Sequence, residues 1–174
     1  MEKKTYTVYK YDELNEEQKE KAIERYYDIN IDHDWWDHIE TDDCGIKLKE
    51  FDIDRGSYCK LGFEKSELET ARAIVENHGE SCNTHRLSRA YIEAYESLER
   101  ERETINQSDD DIGYRKEVEI EDKMEVLKDE YVEDLQNEYL QLLRDEYSFQ
   151  TERVAIEETL RANDYDFTED GKID

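Results

Sequence analysis

The chain has 174 residues, of which 50 are acidic and 24 basic, giving a net charge of −26. This charge excludes direct binding to nucleic acid or to an anionic membrane and favours basic partners. Aromatic residues make up 11% of the chain, so a folded core is expected although only 36% is hydrophobic. No apolar run approaches the roughly 20 residues of a membrane span, and no signal peptide is evident. Cys44, Cys59 and Cys82, an odd number without close spacing, predict reduced thiols. We therefore expect a cytoplasmic protein.

The predicted strands belong to one small antiparallel sheet. Thr5–Tyr9 is β-branched and aromatic, and Ile46–Asp54 and Tyr58–Phe63 form a hairpin around a turn at residues 54–57. The apolar alternation changes parity within the first hairpin strand, which predicts a bulge near Lys49 or Glu50.

Two helices are expected in the first forty residues. Asn15 with Gln18 is a capping box for a helix that continues to about Asp28. Asp32 or Asp34 can cap a short helix, which carries Trp35, Trp36 and Ile39.

Further capping patterns predict the later helices. Ser66 with Glu69 begins a helix that His78 ends, and Thr84 can cap the next one. Thr151 can cap a last helix to about Ala162. After it, residues 165–171 predict a turn and one short strand.

The segment Glu117–Tyr147 has the apolar period of a long helix. Its apolar stripe consists of Ile120, Met124, Leu127, Tyr131, Leu135 and Leu142. Its acidic side carries Asp122, Glu125, Asp129 and Glu133. Reversal at residues 108–113 predicts a helical hairpin from about Thr84 to Tyr147. The end at residues 139–147 is apolar on several sides, so either the fold itself or a second copy in a homodimer covers it.

These elements predict an α+β fold: a small antiparallel sheet covered by helices, with a long acidic helical hairpin. We expect one domain over residues 1–174. It combines an α/β part at 1–80, the helical hairpin at 81–150, and a C-terminal helix and strand at 151–174 that return to the core.

Two groups of residues suggest enzyme chemistry. Asp32, His33, Asp34, His38 and Asp52, with the nearby acids Asp37, Asp42, Asp43 and Asp54, could hold a divalent ion in a metal-dependent hydrolase. Cys82 with His85, and Cys59 with Ser57, are the candidates for nucleophilic catalysis. No catalytic or cofactor fingerprint is present, so we predict a protein that is not an enzyme, with no catalytic residue, metal or cofactor.

Three segments resemble one protein family. They are YKYDELNEEQKEKAIERYYDINIDHDWWD, EFDIDRGSYCKLGF and DEYSFQTERVAIEETLRANDYDFTEDGK. They resemble small acidic proteins encoded by bacteriophages and prophages, often labelled antitoxins of toxin–antitoxin stability systems. The resemblance covers roughly the first 63 and last 40 residues, and Trp35-Trp36 and residues 55–58 are its most specific parts. It implies a phage accessory protein acting inside an infected bacterium.

Charge and resemblance together predict an inhibitor that imitates nucleic acid. Such an anti-CRISPR-like protein would block the basic groove of a bacterial defence nuclease, such as a CRISPR effector, and would bind no nucleic acid or membrane itself. The predicted contact residues are Asp109, Asp110, Asp111, Asp122, Glu125, Asp129 and Glu133. The alternatives are an antitoxin-like protein that neutralises a basic toxin, and the metal-dependent hydrolase.

Overall fold

The computed structural model describes residues 7–39, 42–105 and 111–174, and these residues form the expected α+β fold. The strands are β1 (Ile46–Asp52) and β2 (Tyr58–Phe63). The helices are α1 (Glu16–Arg25), α2 (Glu67–Asn77), α3 (Asn83–Ile105), α4 (Asp111–Gln150) and α5 (Arg153–Ala162). Short 3-10 helices occupy Tyr11–Glu13, Asp37–Ile39 and Asp42–Cys44.

The chain divides into two compact units. The terminal unit contains the residues up to Asp37 and those from Arg144 onward, and the central unit is His38–Leu143. The single-domain organisation over residues 1–174 stays a prediction.

The terminal unit has a core supplied by both ends of the chain. Its buried members are Tyr11, Leu14, Ala22, Ile156, Leu160 and Phe167. The capping box of α1 is confirmed, because Asn15 Oδ1 accepts the Gln18 N–H at 3.0 Å and Gln18 Oε1 accepts the Asn15 N–H at 2.9 Å. The helix ends at Arg25, before the predicted Asp28.

The predicted pairing of a Thr5–Tyr9 strand with the hairpin is wrong. Thr5 and Tyr6 lie outside the described residues, whereas Tyr9 and Phe167 exchange both backbone hydrogen bonds at 2.8 Å. Tyr9 thus forms an isolated bridge with the C-terminal segment, and the hairpin is a two-stranded sheet in the described chain. Burial of Phe167 in the terminal core fixes this pairing. The predicted turn at Gly171 is confirmed: its N–H donates to Thr168 O at 2.9 Å.

The predicted helix around the tryptophans is also corrected. A 3-10 helix covers only Asp37–Ile39, and neither Asp32 nor Asp34 begins an α-helix. Trp35 is buried with its ring 5.7 Å from that of Tyr147, so tertiary packing holds this segment, while Trp36 is only half-buried.

The hairpin of the central unit confirms the predicted bulge. Leu48 pairs with Leu61 and Glu50 with Lys60, so Lys49 is the extra residue. The bulge restores the alternation and leaves Phe51 partly buried while Glu50 is exposed.

The α2 helix is bounded as predicted, but α3 begins differently. Ser66 and Glu69 form the capping box of α2, and His78 ends it. Thr84, the predicted cap of α3, lies inside that helix, where its buried hydroxyl contacts His78 Nδ1 at 2.7 Å. The Thr84 hydroxyl therefore contacts a partly buried side chain of the preceding turn and does not cap α3.

Helices α3 and α4 form the predicted antiparallel hairpin. Tyr131 of α4 stacks on Tyr91 at 4.2 Å, and its hydroxyl contacts Ser88 Oγ at 2.7 Å. Further along α3, Arg102 lies near Glu117 and Glu121, earlier on α4. Residue numbers therefore increase along α3 in the direction in which they decrease along α4, so the two helices run antiparallel.

The end of α4 is buried on several sides, as predicted for Tyr139 and its neighbours. Tyr139, Leu140 and Leu143 are buried, but Leu142, predicted on the apolar stripe, remains 39% exposed. The α4 helix continues to Gln150, and Thr151 donates its hydroxyl to Tyr147 O at 2.8 Å. Thr151 therefore closes α4, and Glu152 is the N-cap of α5.

Candidate functional site

The acidic side of α4 is held by a buried apolar side. Ile120, Tyr131 and Leu135 are at most 4% exposed and anchor the helix. At about 100° per residue, Asp122, Glu125, Asp129 and Glu133 share the opposite side, and all four are exposed. We name these four residues the acidic stripe. Because it lies on a helix fixed by its core, the spacing of its charges is defined.

The acidic stripe differs from other acids of α4 in its ion pairing. Glu119 accepts a contact from Lys123 at 2.8 Å, which lowers its pKa, and Arg102 lies near Glu117 and Glu121.

Within the described chain, the stripe has one cation contact, between Asp129 and Lys128 at 4.0 Å. Asp122, Glu125 and Glu133 have no ion-pair partner among the residues that the structure describes. The stripe therefore presents charge that the fold leaves uncompensated.

Exposed apolar residues share the side of α4 that carries the acidic stripe. Val118 and Val126 are 39% and 56% exposed, and Tyr114 near the start of α4 is 70% exposed. Helical spacing places all three within one broad sector with the stripe. The exposed surface of α4 therefore combines acidic and apolar side chains on the same side of the helix.

The side chains of the three other predicted contact residues lie outside the described part of the chain. Asp109 and Asp110 lie outside the described residues. Asp111 is the first residue of α4, but its side chain is also outside the described part.

The structure does not assemble the proposed metal ligands. The carboxylate of Asp52 accepts the N–H groups of Asp54, Arg55 and Gly56 at 2.8, 3.1 and 3.0 Å, and these bonds lower its pKa. This carboxylate therefore stabilises the hairpin turn. His33 Nδ1 lies 3.1 Å from Asp32, but no metal-holding group of three or more His, Cys, Asp or Glu occurs among residues 7–39, 42–105 and 111–174.

The proposed nucleophiles lie in unsuitable surroundings. Cys82 is exposed whereas His85 is buried within α3. Burial raises the pKa of Cys59 to about 11, which keeps it a neutral thiol, and Ser57 donates its hydroxyl to Asp54 O at 3.1 Å.

A partly buried contact between Cys44 and His78 was not predicted from the sequence. Cys44 Sγ lies 3.7 Å from His78 Nε2, and Thr84 contacts the other ring nitrogen. Burial raises the pKa of Cys44 and lowers that of His78, so both neutral forms are favoured. With Cys44 fully buried, the contact packs the hairpin end against the α2–α3 turn. No local motif joins positions so far apart in the sequence.

Two further findings bear on function. None of the helices in the described ranges is both long and apolar enough to cross a membrane. Comparisons with protein-family models, with curated proteins and with solved structures found no match to this chain.

Proposed function

We propose that the protein binds the basic, nucleic-acid-binding surface of another protein through the acidic stripe, and thereby excludes nucleic acid from it. The observation that carries this proposal is the set of exposed, largely unpaired charges at Asp122, Glu125, Asp129 and Glu133. The protein thus acts as an inhibitor rather than an enzyme.

The charge density of α4 supports this interpretation. Thirteen of the 40 residues of α4 are Asp or Glu and five are Lys or Arg. At about 1.5 Å per residue the helix is about 60 Å long, so one acid occurs per roughly 4–5 Å. One strand of DNA carries a phosphate about every 3.4 Å. A groove that accepts a DNA strand therefore meets a comparable density of negative charge on α4.

Solubility alone does not account for the stripe. Its members follow one another at intervals of three, four and four residues, where like charges destabilise a helix. A net charge of about 2–8 suffices to keep a small domain soluble, and this chain carries −26. The presence of like charges at neighbouring helix positions, despite this cost, is a reason to assign them to a partner.

The resemblance to phage-encoded proteins directs the choice of partner. A bacterial defence nuclease, such as a CRISPR effector, has a basic groove that binds nucleic acid. It also acts against phages, so a phage-encoded protein would be expected to inhibit it. A basic toxin would satisfy the same charges, and the experiment below separates it from a nuclease.

The test is capture of partners from bacterial lysate at low and at physiological salt, followed by mass spectrometry. The native protein is compared with a variant in which Asp122→Asn, Glu125→Gln, Asp129→Asn and Glu133→Gln neutralise the stripe. At a few tenths to 1 kcal/mol for each lost ion pair, retention should fall about tenfold or more. The control neutralises four exposed acids of the terminal unit: Glu24, Asp28, Glu158 and Glu169.

The proposal expects a nucleic-acid enzyme retained in near-equal amount by the native and control proteins, and released by added DNA or RNA. Equal retention by the stripe variant would refute the assignment of the site. A small basic toxin that nucleic acid does not displace would instead establish the antitoxin-like alternative.

A further inference from the structure

A groove of about 590 Å³ lies between α3 and α4, beside the acidic stripe. Ala94, Ser97 and Leu98 line it from α3, and Val126 and Leu127 line it from α4. The short side chains of Ala94 and Ser97 leave space opposite the longer ones, and Val126 stays 56% exposed. The antiparallel hairpin thus leaves an apolar surface open on one side.

The rim of this groove is acidic. Glu119, Asp122 and Glu130 border it together with one base, Lys123. Lys123 is already paired with Glu119 at 2.8 Å. In the described part of the chain, Asp122 and Glu130 have no ion-pair partner. The rim therefore favours a cationic occupant, and a second copy of a chain with charge −26 is opposed by repulsion.

We propose that this groove receives an α-helix of the basic partner, with apolar side chains inserted between α3 and α4 and Arg or Lys side chains directed to Asp122 and Glu130. The inference rests on the proposed function, because Asp122 belongs both to the acidic stripe and to the groove rim. The lining of α4 from Glu119 to Glu130 extends about 16 Å, which is the length of three helical turns. A third helix against an antiparallel pair is ordinary bundle packing.

Arginine and lysine suit this groove for a second reason. Their aliphatic stems can lie on apolar surface such as Leu98 and Val126 while the charged ends remain at the rim. The stripe would then supply long-range attraction, whereas the groove would select partners with apolar residues at helical spacing.

The test uses a fluorescein-labelled amphipathic helical peptide of leucine and lysine, and a peptide of the same composition in scrambled order. Ser97→Trp fills the groove from α3 without changing charge. Ser148→Trp makes the same substitution at an exposed serine of α4 that does not line the groove. A third variant, Glu125→Gln with Asp129→Asn and Glu133→Gln, reduces the stripe but keeps the rim. Circular dichroism melts verify that each variant is folded.

Fluorescence anisotropy should show that the amphipathic peptide binds the native protein more tightly than the scrambled one. Ser97→Trp should weaken binding about tenfold, as loss of a central contact does, and Ser148→Trp should leave it unchanged. Equal binding of both peptides, or native affinity in Ser97→Trp, would overturn the groove assignment. A native dimer that Ser97→Trp dissociates in sedimentation would overturn it in favour of a second copy.

The groove and the proposed function can fail separately. If Ser97→Trp binds the peptide as the native protein does while the three-substitution stripe variant, which keeps Asp122, loses the partner captured from lysate, the function stands and the groove is refuted. If Ser97→Trp loses the peptide while the same three-substitution variant retains the captured partner, the groove stands and the stripe is refuted.

Discussion

Neutralising the acidic stripe should make the protein more stable. The four acids form three like-charged neighbour pairs along α4: 122–125, 125–129 and 129–133. Each such pair destabilises a helix by about 0.2–0.5 kcal/mol, so their removal should contribute about 0.6–1.5 kcal/mol. The lost contact between Asp129 and Lys128, at 4.0 Å on the surface, offsets at most a few tenths of a kcal/mol. Asn and Gln keep nearly the helix propensity of Asp and Glu.

For a chain of this length the gain corresponds to a melting temperature about 1–5 °C higher. Calorimetry at about 0.01 M and about 1 M salt should show the difference shrinking as the Debye length falls from about 30 to about 3 Å. In the matched control, Glu119→Gln removes an acid paired with Lys123 and should leave the melting temperature unchanged or lower it. A stripe variant that is less stable than the native protein at low salt would show that these acids support the fold, which would refute their assignment to a partner.

Three further predictions concern the core of the central unit. Thr70→Val should stabilise the protein by about 1 kcal/mol in denaturant titration, because the buried Thr70 hydroxyl has no partner in the described chain, whereas Thr84→Val should destabilise it. Tyr131→Phe should lower the free energy of unfolding by about 1–3 kcal/mol, because it leaves the buried Ser88 hydroxyl unpaired. Adding Ser88→Ala should recover part of that loss, and additive effects of the two substitutions would contradict the contact. Burial lowers the pKa of His78, so the unfolded state binds more protons and stability should fall as pH drops below about 6.5; an equal fall in His78→Gln would exclude His78 as the cause.

Local interactions made part of the fold predictable. The capping boxes at Asn15 and Ser66 join residues three apart, and the bulge at Lys49 follows from alternation within one strand. The stripe was equally readable, because helical periodicity alone places Asp122 and Glu133 on one side.

Contacts between segments distant in the sequence could not be predicted from local sequence patterns. Tyr9 pairs with Phe167, and the Thr84 hydroxyl contacts His78 Nδ1 and does not cap a helix. The groove depends on short side chains of α3, such as Ala94, facing longer ones of α4, such as Val126. Its existence therefore follows from how two helices pack, which the period of either helix does not specify.

The most direct test of the central claim is competition on the captured partner. The purified partner is bound to a labelled nucleic acid and titrated with the native protein while anisotropy is followed. The account predicts complete displacement, with an apparent affinity that weakens in proportion to the nucleic-acid concentration and is lost when the acidic stripe is neutralised. A ternary complex, in which protein and nucleic acid bind the partner together, would contradict it.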